Sequence, residues 1–80
     1  MKKIIVYTSE DCSYCRELKK WLMEQNITYT NMDVNDSDVA KEFKKYNSPG
    51  IPLIIVNDNE TGRYHKIVGF NPSKLSKLIF

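Results

Sequence analysis

Two cysteines separated by two residues are the only cysteines in the chain. Cys12 and Cys15 follow a short apolar run and stand where a helical segment begins. A thiol at a helix N-terminus ionises more readily, because unpaired amide donors and a partial positive charge lie there, and the thiolate is the reactive form. A mixed disulfide at the first sulfur can be resolved by the second. The spacing therefore predicts a disulfide-exchange site, with Cys12 as nucleophile and Cys15 as resolving thiol.

Length and charge restrict the classes of protein to which the chain can belong. Its 80 residues predict a single domain over residues 1–80, and a net charge of +2 gives no reason to expect binding to nucleic acid or an anionic membrane. No apolar run approaches the roughly twenty residues of a membrane span, and the first residues lack the apolar core of a signal peptide. We therefore expect a cytoplasmic protein, where a cysteine pair favours redox or metal chemistry over a structural disulfide.

Zinc binding is the competing chemistry for a cysteine pair. A structural zinc site normally has four protein ligands. The chain offers Cys12, Cys15 and one histidine, His65, which falls in a predicted edge strand. We therefore expect no protein-bound metal and interpret His65 as a surface residue.

The elements that must position the cysteines follow from apolar periodicity and capping signals. Strands are predicted over residues 4–8, 27–33, 52–56 and 63–68, and helices over residues 13–25, from residue 37 to about residue 46, and from residue 72 onward. The predicted N-caps are Asp11 for the first helix, Asp36 or Ser37 for the second and Asn71 for the third.

The predicted order of elements is β-α-β-α-β-β-α. It indicates an α/β fold with a four-stranded mixed sheet flanked by three helices, in which the first two strands run parallel and the last two antiparallel. A C-x-x-C motif within a βαβ pattern is typical of a thioredoxin-like fold. The dithiol would then lie at the carboxyl end of a sheet strand, where α/β proteins place their sites.

Three segments of the chain resemble the glutaredoxin family and its near relatives, the NrdH-type redoxins. The segment from Cys12 to Cys15, with Ser13 and Tyr14 between, looks like the glutaredoxin active site. The segment at residues 50–52 is similar to the one whose proline is cis in this family, and residues 68–72 look closer to the Gly-Phe-x-Pro of NrdH-type redoxins. The resemblance covers essentially the whole chain.

The resemblance implies a thiol-disulfide oxidoreductase that reduces protein or glutathione mixed disulfides. It implies disulfide-containing proteins as substrates, and glutathione or a thioredoxin-reductase-type flavoenzyme as electron donor. We expect a monomer with no tightly bound cofactor. The alternative is a carrier that binds glutathione or an iron–sulfur cluster without redox turnover. The implied substrate- or glutathione-binding residues are Tyr14, Ile51, Pro52, Gly69, Phe70 and Asn71, with a cis Ile51–Pro52 bond exposing the Ile51 backbone.

Two departures from the glutaredoxin pattern concern glutathione. Glutaredoxins usually carry a lysine three residues before the first cysteine, and it helps to hold glutathione; Ser9 occupies that position. The acidic residues that bind the amino end of glutathione are replaced around Asn71, Pro72 and Ser73. We therefore expect weak glutathione specificity.

Overall fold

The computed structural model describes residues 2–80. The elements are, in chain order, β1 (Lys2–Thr8), α1 (Ser13–Glu24), β2 (Thr30–Asp33), α2 (Ser37–Lys45), β3 (Leu53–Asp58), β4 (Arg63–Val68) and α3 (Pro72–Ile79).

The four strands form one mixed sheet in the order β2-β1-β3-β4. β1 runs parallel to β2 and antiparallel to β3, while β3 and β4 are antiparallel neighbours. The two central strands are the most apolar, as expected for strands covered on both faces. The predicted architecture of four strands and three helices is confirmed.

Alternation along the central strands divides the apolar side chains between the two faces of the sheet. One face packs against α1 and α3, and the other packs against α2. The buried cluster on the first face contains Ile4, Val6, Leu18, Leu22, Ile54, Val56, Ile67 and Leu75. The cluster on the second face contains Tyr7, Leu53 and Ile55, with Val39, Phe43 and Tyr46 of α2 partly buried against it.

Three strands have limits that differ from the sequence-based prediction: β1 begins at Lys2 and not at residue 4, β2 begins at Thr30 and not at residue 27, and β3 covers Leu53–Asp58 and not residues 52–56. β2 begins at Thr30, because its pairing with β1 starts at that residue, while Ile27 and Tyr29 pack against the α1 side of the core without joining the strand. β3 continues to Asp58, because the first residues of β1 extend its antiparallel ladder beyond the apolar run. The alternation of apolar residues predicts which side chains are buried, whereas backbone pairing decides where a strand begins and ends.

Two of the predicted helix caps are present. The Asp36 carboxylate accepts a hydrogen bond from the Asp38 amide at 2.9 Å, and the Asn71 side-chain oxygen accepts one from the Lys74 amide at 3.2 Å. Pro72 occupies the first turn of α3, where its missing N–H costs no intrahelical bond. Within residues 2–80, no helix is long and apolar enough to cross a bilayer.

Adjacent positions in α1 provide a test of this packing. Leu22 is fully buried in the core, whereas Met23 is 72% exposed. Leu22→Ala is expected to lower the free energy of unfolding by about 2–5 kcal/mol, because it removes buried apolar contacts and leaves a cavity. Met23→Ala, the matched control, should change it by less than about 0.5 kcal/mol. Urea denaturation of the reduced variants measures both, and equal effects would contradict the assigned face of α1.

Candidate dithiol active site

Cys12 is itself the N-cap residue of α1. Its backbone is extended, at φ −93° and ψ 113°, and its sulfur accepts a hydrogen bond from the Cys15 backbone N–H at 3.1 Å. The Arg16 amide donates to the Cys12 carbonyl at 3.2 Å, which starts the helical ladder there. The prediction of Asp11 as cap was therefore wrong. Asp11 lies one residue outside the helix, and the sulfur takes the amide that a capping oxygen would otherwise accept.

The two cysteines are free thiols in different environments. Cys12 is partly exposed, whereas Cys15 is completely buried on the inner side of α1. Residues three apart on a helix lie on the same side, so the second sulfur approaches the first from the protein interior. The outer thiol is accessible to another molecule, and the inner one is accessible mainly to its partner.

Burial raises the pKa of Cys15 to about 11. Desolvation is the largest cause, because a thiolate loses its hydration inside the protein, and a hydrogen bond with Cys12 acts in the same direction. A backbone hydrogen bond from Ser9 and the charge of Lys19 act in the opposite direction and lower the pKa of this thiol. Cys15 is therefore a protonated thiol at neutral pH.

The loop between β1 and Cys12 is held by its own backbone and by two side chains. The Cys12 amide donates to the Ser9 carbonyl at 3.2 Å, and the Arg16 guanidinium donates to the Glu10 carbonyl at 2.7 Å. The side-chain amide of Asn35 donates to the Ser9 hydroxyl oxygen at 3.3 Å. Sequence reasoning missed Asn35, since it is 26 residues away and gives no signal of its own.

The end of β1 next to this loop is fixed by a hydrogen bond between buried Thr8 and exposed Asn31. Thr8 is 1% exposed, and its hydroxyl donates to the Asn31 side-chain oxygen at 2.5 Å. The Val34 amide donates to the Thr8 carbonyl at 2.9 Å, which continues the pairing of β1 with β2 past the last strand residue. The strand end that carries the dithiol loop is thus anchored to its parallel neighbour.

Pro52 and Gly69, both predicted to bind substrate, are directly joined. The Ile51–Pro52 peptide bond is cis, as predicted. The Gly69 amide donates to the Pro52 carbonyl at 2.8 Å, extending the β3–β4 pairing beyond its last strand pair. Gly69 has a φ of 86°, a conformation that other residues rarely adopt. Before the proline, the Ser48 hydroxyl donates to the Gly50 carbonyl at 2.7 Å.

The remaining predicted contact residues differ in accessibility. Tyr14 is 66% exposed and directly precedes Cys15 in sequence, and Ile51 is half-buried. Phe70 packs partly against the α1 and α3 side of the core. Asn71 is exposed, but its side-chain oxygen is engaged in capping α3. Tyr14 and Asn71 are thus the two exposed side chains of the set, and Asn71 is engaged in the α3 cap.

A metal centre receives no support from the side chains of residues 2–80. Over that range, no group of three or more His, Cys, Asp or Glu side chains is arranged to hold a metal ion. His65 is exposed in β4, as the sequence analysis expected.

A four-stranded mixed sheet with a pair of cysteines at the N-terminus of α1 defines a thioredoxin-like protein whose site is suited to thiol-disulfide exchange. The glutaredoxin sequence profile matches residues 4–60, and the chain belongs to the glutaredoxin family. This family of glutaredoxin- and NrdH-like thiol oxidoreductases accounts for the Cys12–Cys15 motif, and the carrier alternative is not favoured.

Individual relatives agree with this assignment. The chain is 34% identical to a glutaredoxin-like 8.6 kDa protein of a rubredoxin operon in Clostridium pasteurianum, covering 95% of this chain and 96% of that protein. It is 26% identical to the glutaredoxin-like protein NrdH of Lactococcus lactis subsp. cremoris, covering 94% and 97%. The crystal structure of the thioredoxin-like protein BC3987 superposes with a TM-score of 0.77 at 30% identity, covering 96% of this chain and 100% of that one.

The contrast between the two thiols predicts their alkylation. When the reduced protein is treated briefly with iodoacetamide at pH 7, adducts should form at Cys12 and not at Cys15, because Cys15 is buried and protonated. Modification of Cys15 should increase only as the pH approaches its pKa of about 11. Peptide mapping by mass spectrometry locates the adducts. Equal labelling of both cysteines at pH 7 in the folded protein would contradict the assigned roles.

Proposed function

We propose that the protein reduces disulfides of other proteins, and mixed disulfides of small thiols, through the Cys12–Cys15 dithiol. The observation that carries the proposal is the pairing of an accessible sulfur at the start of α1 with a buried sulfur one turn later. The amide of Cys15 donates to the sulfur of Cys12 at 3.1 Å. A backbone donor at this distance stabilises the negative charge that develops on the sulfur when it acts as a leaving group in thiol-disulfide exchange.

In the first step, the Cys12 thiolate attacks one sulfur of the substrate disulfide. A bond forms between Cys12 and that sulfur, the substrate S–S bond breaks, and the second substrate sulfur leaves as a thiolate that takes a proton from solvent. The partial exposure of Cys12 permits this approach. No redox cofactor is required, since the dithiol supplies both electrons.

In the second step, Cys15 loses its proton to solvent and its thiolate attacks the sulfur of Cys12. The Cys12–Cys15 disulfide forms, the mixed disulfide breaks, and the first substrate sulfur leaves as the second thiol product. The high pKa of Cys15 keeps it protonated while the substrate binds. Its attack then depends on its proximity to Cys12, with whose side chain it forms a hydrogen bond. Two electrons have then moved from the dithiol to the substrate, and an external reductant must return them.

Substrate recognition is assigned to the backbone beside the dithiol and to Tyr14. The Ile51 backbone precedes the cis proline, where an extended substrate segment can pair with it as an added strand. Gly69, fixed to the Pro52 carbonyl at 2.8 Å, and Phe70 would form the rim on the β4 side. Main-chain pairing favours extended segments of protein substrates with little regard to their sequence.

For the electron donor, we propose a thioredoxin-reductase-type flavoenzyme, with glutathione as a weaker reductant. Ser9 supplies no cation for a glutathione carboxylate, and the Asn71 side chain supplies no acid for its ammonium group. A charge-assisted hydrogen bond contributes roughly 1.5–3 kcal/mol when it is desolvated, so two missing bonds weaken binding substantially.

Removing either thiol should separate the two steps. With a disulfide substrate such as 2-hydroxyethyl disulfide, Cys15→Ser should accumulate a mixed disulfide at Cys12, because no second thiol resolves it. Cys12→Ser should form no adduct at neutral pH, because Cys15 is buried and protonated. Intact-protein mass spectrometry measures both outcomes. Adducts that collect on Cys15 of the folded wild-type protein would show that the roles are reversed.

The choice of reductant depends on the charge at residue 9. Ser9→Lys should lower the KM for glutathione by about three- to tenfold, because a half-exposed cation restores part of one charge-assisted bond. Ser9→Gln is the matched control, since it adds length without charge and should leave that KM near the wild-type value. A coupled assay with glutathione reductase measures the effect. A wild-type rate typical of glutaredoxins that neither variant changes would contradict weak glutathione specificity.

A further inference from the structure

Ser48 holds the peptide group that leads into Ile51. Its hydroxyl donates to the Gly50 carbonyl at 2.7 Å, and the Gly50 amide donates to the Ser48 oxygen at 3.4 Å. Ser48 is half-buried in the connection between α2 and β3, and the proline that follows it disfavours a helical backbone there. One short side chain therefore engages both backbone polar groups of Gly50.

The Gly50 carbonyl belongs to the same peptide group as the N–H of Ile51. Within residues 2–80 the Ile51–Pro52 bond is the only cis peptide bond, so the Gly50–Ile51 bond is trans. In a trans peptide group the carbonyl and the N–H point in opposite directions. Because the carbonyl is directed at the Ser48 hydroxyl, the Ile51 N–H is directed away from it. The hydrogen bond to the carbonyl also polarises the amide, which makes its N–H a stronger donor.

The backbone of Ile51 is open to another molecule. Among the hydrogen bonds formed within residues 2–80, none involves the Ile51 N–H or the Ile51 carbonyl. A Cβ atom placed on Gly50 would meet no other part of the described chain within 4 Å. Tyr7 pairs with Leu53 across β1 and β3, so the segment before β3 lies at the same end of the sheet as the dithiol loop after β1.

We propose that Ser48 is a positioning residue for substrate recognition, which directs the Ile51 N–H at a backbone carbonyl of an extended peptide substrate. This role rests on the proposed function and names the residue that favours peptide disulfides over small-molecule disulfides. Both side-chain hydrogen bonds of Ser48 are made with Gly50, so it acts on the peptide group and not on sulfur. A donor that is already fixed loses less conformational freedom when the substrate binds.

Two disulfides that share a 2-mercaptoethanol half separate recognition from chemistry. One is 2-hydroxyethyl disulfide, which has no peptide backbone, and the other is a short unstructured peptide whose central cysteine is joined to 2-mercaptoethanol. The reduced full-length protein is mixed with increasing concentrations of each disulfide, quenched with acid at intervals and analysed by mass spectrometry for oxidation of the dithiol. The concentration dependence gives a half-saturation concentration and a limiting rate for each substrate.

Ser48→Ala should lower the preference for the peptide disulfide over 2-hydroxyethyl disulfide about two- to tenfold, the range expected for the loss of one neutral hydrogen bond. The loss should appear in the half-saturation concentration for the peptide and not in the limiting rate, because binding and not sulfur chemistry is affected. Ser48→Thr keeps the hydroxyl and should restore the preference. Ser37→Ala changes an exposed serine at the start of α2 and serves as the matched control.

A peptide with ester groups in place of the amides that flank its cysteine decides whether Ser48 acts through the Ile51 N–H. Ester carbonyls are weaker acceptors, so Ser48→Ala should have a smaller effect with this substrate. An unchanged preference in Ser48→Ala, or an undiminished effect with the ester peptide, would overturn the assignment. So would equal losses with the peptide and with 2-hydroxyethyl disulfide, since Ser48 would then serve only the fold. A wild-type protein whose dithiol is oxidised by neither disulfide would instead refute the proposed function.

Discussion

The hydrogen bond from the Cys15 amide to the Cys12 sulfur is the interaction on which the site depends. It exists because α1 begins at Cys12, which gives a cysteine sulfur the position that a serine, threonine or aspartate oxygen usually takes at a helix start. That start in turn requires β1 to end at Thr8 and the intervening loop to turn tightly enough for the Ser9 carbonyl to accept the Cys12 amide. A displacement of the helix start by one residue would remove the sulfur from the cap.

The sheet provides the asymmetry between the two thiols. α1 lies against the apolar face that contains Val6 and Ile54, so its inward side is buried and its N-terminal end is exposed to solvent. Cys15 lies on the buried side of the helix, and Cys12 lies at its partly exposed end. One geometric fact therefore produces two chemical roles: exposure makes the first thiol available to substrates, and burial keeps the second protonated until the mixed disulfide is within reach.

The backbone to which substrate recognition is assigned comes from the other half of the chain. The Gly69 amide donates to the Pro52 carbonyl and so joins the residue before β3 to the residue after β4. Since recognition there is assigned mainly to the main chain, specificity among reductants falls to the few side chains around it. Ser9 and Asn71 both lack the charges that glutathione would use. The Ser9 hydroxyl accepts a hydrogen bond from the Asn35 side chain, and the Asn71 side chain caps α3.

The sequence by itself determined the position of the cysteine pair at the start of a helix, the order of elements and the proline that precedes β3. Each of these follows from local patterns: cysteine spacing after an apolar run, alternation in strands, and turn residues between them. The tertiary structure alone decided the cap of α1, which the local preference for aspartate assigned to Asp11, and the limits of β2 and β3, which depend on backbone partners in other strands. It also brought Asn35 against Ser9 and Asn31 against Thr8. Such contacts leave no trace in a single sequence, because the parallel pairing of β1 with β2 brings together residues more than twenty positions apart.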